Sequence, residues 1–216
     1  MRPRLHLLLV VIALCTGAGA WGAANDSALD RYVSGLQTLQ ADFTQEARDA
    51  RGKLVEGGRG QLVVQRPGRF RWEFRADGVG ADGGQLMVAD GKNLWFYERE
   101  LAQVTVRDAA AALGATPVVL LSGSSADIQA AFTVNRLGSR GGIERVEIIP
   151  RIIAADFARA EIGFRGPVLA SMDIKNKLGQ TVHMSFSHVV RNQSLPPALL
   201  SFAAPPGVDV IGTAQH

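Results

Sequence analysis

The sequence predicts an α+β fold: one domain of roughly ten or eleven antiparallel strands with a few short helices. Three observations point there. Apolar and charged residues alternate over short runs, as in Phe70, Trp72 and Phe74 against Arg69, Arg71, Glu73 and Arg75. Gly-containing turns join the runs, which suits antiparallel pairs, because parallel pairs need long crossovers. Between Asp108 and Ala131 the texture changes to Ala- and Val-rich pieces of helical character.

Residues 1–20 read as an export signal. Arg2 and Arg4 give a basic start, Leu5 to Leu14 is apolar but for His6, and small residues run from Gly17 to Ala20. The apolar run is about ten residues, short of the ~20 that a membrane-spanning helix needs. Cleavage fits after Ala20, or after Ala24. Cys15 follows Leu14 instead of the small residue of a lipidation signal, so it reads as part of the export signal. Residues 21–216 are then expected to form a single domain without cysteine, and so without disulfide or thiol chemistry. Taking Arg2 and Arg4 from the 23 basic side chains leaves 21 against 20 acidic ones, a net charge of +1. Nothing here is the basic stripe of a nucleic-acid binder.

Along the chain, Asp26 or Ser27 caps a first helix, whose apolar face is Leu29, Tyr32, Val33, Leu36 and Leu39. Phe43 lies in an extended run that ends at a Gly52-Lys53 turn. Gln61 to Arg66 is a strand stopped by Pro67-Gly68, and Phe70 to Phe74 is a half-buried one. Leu86 to Ala89 and Leu94 to Tyr97 form a hairpin about Asp90-Gly91. Gln103 to Val106 follows. Helical pieces are expected at Ala109 to Leu113, Thr116 to Leu121 and Ser125 to Ala131, with Pro117 at an early helical position. Phe132 to Leu137, Ile143 to Ile149, Ala158 to Phe164, Leu169 to Lys175 and Thr181 to Val190 complete a meander, with a short extended piece after Gly207.

Motifs for chemistry are scarce. Gly78, Gly80 and Gly83 match the letters of a dinucleotide fingerprint, but no strand there feeds a helix, so the segment reads as a hairpin loop. His183 and His188 sit five apart on one strand, which strict alternation sends to opposite faces. No His, Cys or carboxylate cluster has metal spacing. Ser122, Ser124 and Ser125 lack the flanking glycines of a nucleophile elbow, and no loop grips phosphate. The expectation is no cofactor and no enzyme. The chain reads as a binder.

Leu62, Val64 and Arg66 share parity, so they project from one strand face. A guanidinium on an apolar face is costly unless its donors are satisfied. Either Arg66 reaches solvent at the strand end, its stem lying over the aromatics, or it bonds carbonyls of a covering element such as the 108–131 helices. Phe70, Trp72 and Phe74, with Trp95 and Tyr97, read as core or as the wall of an apolar cleft under short helices.

Four segments carry a resemblance: Arg66-Pro67-Gly68-Arg69-Phe70-Arg71-Trp72; Asp90-Gly91-Lys92-Asn93-Leu94-Trp95-Phe96-Tyr97; Thr116-Pro117 before Leu120-Leu121; and Phe202 before Pro205-Pro206-Gly207-Val208. With Leu39-Gln40-Ala41-Asp42-Phe43-Thr44-Gln45 they resemble, in order, the outer-membrane lipoprotein carrier family (LolA). The resemblance implies an unclosed antiparallel β-barrel of about eleven strands, its mouth covered by a lid of short α-helices. It implies a periplasmic monomer, not stably inserted in a membrane, that chaperones acylated lipoproteins. They come from an inner-membrane ABC-type lipoprotein-releasing complex and go to an outer-membrane lipoprotein receptor. Arg66 is implied as the lid latch and Phe70 as a handover residue. The expected cavity wall is Leu62, Val64, Phe70, Trp72, Phe74, Trp95, Tyr97, Val118, Leu120 and Leu121. A carrier of free lipid or another amphiphile on the same fold is the alternative.

Overall fold

A computed structural model describes residues 27–80, 83–109, 119–123, 125–151 and 157–215. The expected export signal with Cys15, most of the expected helix after Ala109, and Thr116, Pro117 and Val118 lie outside them.

Helix α1, Ala28–Val33, starts in a capping box. The Ser27 Oγ accepts from the Asp30 amide at 3.1 Å, and the Asp30 carboxylate accepts from the Ser27 amide at 2.9 Å. Apolar spacing carries the helix to Leu39, but it ends at Val33. Gly35 takes φ 66°, a left-handed turn that redirects the chain. Leu36 and Leu39 are still buried, from a linker and from the first strand.

The strands are β1 Thr38–Arg48, β2 Leu54–Gln65, β3 Arg69–Ala76, β4 Gln85–Ala89, β5 Asn93–Glu98 and β6 Gln103–Asp108. Two short helices follow, α2 Val119–Ser122 and α3 Ser125–Ala131. Then come β7 Phe132–Arg140, β8 Ile143–Pro150, β9 Phe157–Arg165, β10 Val168–Asn176, β11 Thr181–Arg191, a 3₁₀ turn at Pro197–Leu200, and β12 Asp209–Ile211. They form one 12-stranded sheet in the order β12-β6-β5-β4-β3-β2-β1-β11-β10-β9-β8-β7. β7 and β12 are its edges and do not pair with each other, so the barrel is unclosed. β12 runs parallel to β6; the other pairs are antiparallel. The segment holding Gly78 and Gly80 joins the antiparallel neighbours β3 and β4, as a hairpin loop and not as a strand-to-helix turn.

β2 begins at Leu54, well before Gln61. Gly57, Gly58 and Gly60 disguise this half of the strand as a turn. At Gly58 and Gly60 neighbouring rings replace the missing side chains: a Cβ on Gly60 would collide with the Phe43 ring, and one on Gly58 would stand 2.6 Å from the Phe74 ring. Aromatic rings lying across strand glycines fill the space that side chains would occupy.

Register assigns the faces. Leu62 pairs with Trp72, Trp72 with Met87, and Met87 with Phe96, so these four share the inner face. Trp95 pairs with Val88 and Val106, and Tyr97 with Leu86 and Val104. Trp95 and Tyr97 therefore lie on the outer face, which corrects their assignment to the cavity wall. There they meet Phe202, at ring separations of 5.5 and 6.0 Å. The C-terminal segment covers this part of the sheet, so β4 and β5 carry apolar residues on both sides and parity alone does not identify the inner one.

The two histidines also depart from strict alternation. The β1–β11 register shifts between Gln40 and Asp42, and His188 takes φ 49°. The bulge turns His188 to the outer face, beside Asp42 at 3.0 Å, the face that His183 already occupies.

Candidate functional site: a lidded apolar cavity

The inner face is a curved apolar wall. The rings of Phe43, Trp72 and Phe74 lie nearly parallel on it. Trp72 stacks on Phe74 at 5.5 Å and on Phe43 at 5.8 Å, with interplanar angles of 18° and 14°. Beside this slab is a cavity of about 170 Å³. Leu62 and Trp72 line one side, with Met87 from β4. Met172 and Ile174 of β10 and Met184 and Phe186 of β11 line the other, and Leu121 of α2 closes it. Small-molecule pockets usually hold ~300–1,000 Å³, so the closed form has room for only part of a long ligand.

The closure is specific. The Arg66 Nε and Nη2 both donate to the Leu121 carbonyl at 3.2 Å. Its Nη1 donates to the Val33 carbonyl at 3.4 Å, and the Gly68 amide donates to the Ser122 carbonyl at 3.0 Å. Carbonyls in the last turn of a helix lack intrahelical partners. The β2–β3 turn supplies them for α2, and Arg66 also reaches α1. Arg66 makes no ion pair among the described residues.

Beneath it lies Tyr32, fully buried, with the Arg66 and Arg191 guanidinium carbons 5.7 and 5.8 Å from its ring centre. Arg191 donates to the Tyr32 carbonyl at 2.9 Å, so two strands grip the end of α1. Burial pushes the Tyr32 phenol up to about 12, and its hydroxyl has no hydrogen-bond partner. Burial lowers the Arg66 pKa, the neighbouring phenol opposes that, and Arg191 adds to it.

Of the expected wall residues, Leu62, Trp72 and Leu121 line the cavity. Val64, Phe70, Phe74 and Leu120 sit in the packed core around it. Trp95 and Tyr97 are on the far face, and Val118 lies outside the described residues. Sequence reasoning does not single out Met87, Met172, Ile174, Met184 or Phe186. The signal was available: Met172 and Ile174, like Met184 and Phe186, share parity within strands.

One constellation on the outer face has the order of a hydrolytic triad. The His183 Nδ1 is 2.6 Å from the Asp173 Oδ1, and its Nε2 is 3.0 Å from the Ser185 Oγ. Acyl transfer also needs free N–H donors aimed at a developing oxyanion. Ser185 is in an interior strand whose amides are committed to the ladders with β1 and β10. The trio is a half-exposed surface chain of hydrogen bonds. Among the described residues there is no group of three metal-capable side chains, and no helix is long and apolar enough to cross a membrane.

An unclosed β-barrel with an apolar cavity beneath the short helix α2, which Arg66 ties down, is the architecture of a hydrophobic-ligand carrier. Comparison with known proteins makes this specific. Residues 34–203 match the model of the family described as outer membrane lipoprotein carrier protein LolA. The outer-membrane lipoprotein carrier protein of Chromobacterium violaceum is 38% identical over 212 residues, covering 98% of each chain. The protein of the same description from Nitrosospira multiformis is 37% identical over 190 residues, covering 88% of this chain and 89% of that one. The crystal structure of an uncharacterized conserved protein from Thermus thermophilus shares the fold, with a TM-score of 0.53 at 16% identity over 85% of this chain and 96% of that one. The chain belongs to the LolA family, a family of carriers and not of enzymes.

Proposed function

We propose that the chain is a periplasmic chaperone that shelters the acyl chains of lipoproteins in the cavity beneath α2. It receives them from an inner-membrane ABC-type complex and delivers them to an outer-membrane receptor. One observation carries the reading: Leu121 lines the cavity with its side chain and holds Arg66 with its carbonyl. Acyl chains that displace the Leu121 side chain pull that carbonyl away from the guanidinium. Filling the cavity and releasing the latch are then one event.

The physics of the task supports it. Burying acyl chain is worth about 0.8 kcal/mol per methylene, so a chain of some sixteen carbons gains on the order of 12 kcal/mol. Bare acyl chains do not cross water at a useful rate. The chain shows no phosphate-gripping motif, so the energy for loading comes from the donor complex.

The test is to load Arg66→Leu protein with lipoprotein and supply the acceptor. Loading is expected to persist while onward transfer drops, because the opened form no longer has a competing closed state. Normal transfer removes Arg66 from the mechanism. Mass spectrometry of the protein taken from the periplasm tests the cargo: phospholipid alone, with lipoproteins correctly sorted after depletion, replaces this reading with a free-lipid carrier.

A further inference from the structure

Besides Met1, the chain has three methionines, Met87, Met172 and Met184. All three line the apolar cavity. They come from β4, β10 and β11, far apart in sequence, and meet only because the sheet curves. Met172 is 2% exposed, while Met87 and Met184 are half-buried. The other lining side chains carry no hydroxyl, amide or charge; Trp72 supplies the one side-chain N–H. A thioether suits this place, being apolar, flexible and able to follow ligands of different shape. The same atom is also the lining's one oxidisable sulfur type.

We propose that Met87, Met172 and Met184 form an oxidation site through which peroxide switches off ligand binding. The thioether sulfur attacks one peroxide oxygen. An S–O bond forms, the O–O bond breaks, and the departing hydroxide takes the proton from the new S–OH, leaving as water and giving the sulfoxide. Sulfur is oxidised by two electrons and the peroxide is reduced by two. The product sulfoxide is a strong acceptor in a wall with almost no donors, where an unpaired polar group is penalised. Met172 is covered in the closed form, so its oxidation follows lid opening and trails that of Met87 and Met184. The site is defined by the cavity alone; its consequence for transport rests on the carrier reading above.

The test uses the purified full chain, hydrogen peroxide, and phenylnaphthylamine as an apolar fluorescent probe. Peptide mass spectrometry is expected to place one oxygen on each of the three methionines. Probe affinity should fall on the order of tenfold or more, the effect of one unpaired polar group in an apolar site. Epimer-specific methionine sulfoxide reductases with a thiol reductant should restore it. For the Met87→Leu/Met172→Leu/Met184→Leu protein, which keeps side-chain volume, probe affinity after peroxide should equal that variant's own affinity before it. Full sulfoxidation with unchanged affinity overturns the proposal, as does peroxide sensitivity in the leucine variant. Untreated protein that binds no probe sinks the carrier reading instead, and this proposal with it.

Discussion

Phe70→Ala distinguishes a handover residue from a core residue. The family resemblance implies a handover role for Phe70, yet its ring is 0% exposed and lies between Val64 and Ala89 across the neighbouring strands. It does not line the cavity; it packs behind it, two residues from the Gly68 amide that holds α2. An aromatic ring buries ~150–250 Å², worth about 4–6 kcal/mol at ~25 cal/mol per Å² as an upper bound. Measured Phe→Ala losses in cores are ~3–5 kcal/mol. For a domain of this size each kcal/mol moves the melting temperature ~2–4 °C, so the drop should be roughly 6–20 °C. Thermal unfolding followed by circular dichroism reads it directly. Transfer to the acceptor, assayed well below the variant's melting temperature, should recover much of the parental rate. A melting temperature within about 2 °C of the parent, with transfer abolished, refutes the core assignment and makes Phe70 a residue that meets cargo or acceptor.

Tyr32→Phe removes a buried hydroxyl that has no partner. Stability should hold or rise, by up to ~1–3 kcal/mol, in a denaturant titration; a loss of that size shows that the hydroxyl is satisfied. Gly60→Val drives a side chain into the Phe43 ring and the Glu73 carbonyl, and overpacking of this kind costs ~1–3 kcal/mol. It should also disorder the aromatic slab, read as a change in Trp72 fluorescence. For Glu73, burial works to raise the pKa. The hydrogen bonds from Arg99 at 2.7 Å and Arg71 at 3.0 Å, with their charges, outweigh it and hold the pKa below the ordinary 4.5. A depressed folded pKa stabilises above the unfolded value and is lost as pH falls through the folded one. The stability gap between parent and Glu73→Gln should therefore be widest near neutrality and shrink below pH 4.5; a gap that widens in acid reverses the assignment.

Most strands are legible because period-two alternation survives where one sheet face is wet. Legibility fails where that condition fails. β5 is covered on both sides, so Trp95 and Tyr97 look like inner-face residues although Phe96 shares the face of Trp72. β2 hides in glycines because aromatic rings from two neighbours occupy the side-chain space of Gly58 and Gly60. The α1 pattern overruns because Leu36 and Leu39 keep helical spacing by coincidence, after a left-handed glycine. At His188 a bulge adds one residue and reverses parity. At Arg66 the parity of Leu62 and Val64 poses the question, while its answer, the Leu121 and Val33 carbonyls, comes from elements 55 and 33 residues away.

A carbonyl latch has consequences that a carboxylate latch would not. An Arg–carboxylate pair in a half-buried site leaves a charge stranded when it breaks, which costs ~3–5 kcal/mol. The Leu121 carbonyl is neutral, so opening strands only donors, and charge-assisted bonds to it are worth ~1.5–3 kcal/mol each. With two such bonds, about four to eight buried methylenes at ~0.8 kcal/mol offset the closure. A sixteen-carbon chain carries roughly two to four times that. On the carrier reading, acyl burial measured against water exceeds the cost of opening the lid, the donor complex supplies the work of drawing the chains out of the membrane, and closing the lid is far too weak to expel cargo. Release must then be driven by a competing apolar surface on the acceptor. The latch's part is to add the closed state to that competition, and then to hide the empty carrier's wall from the membrane it has just reached.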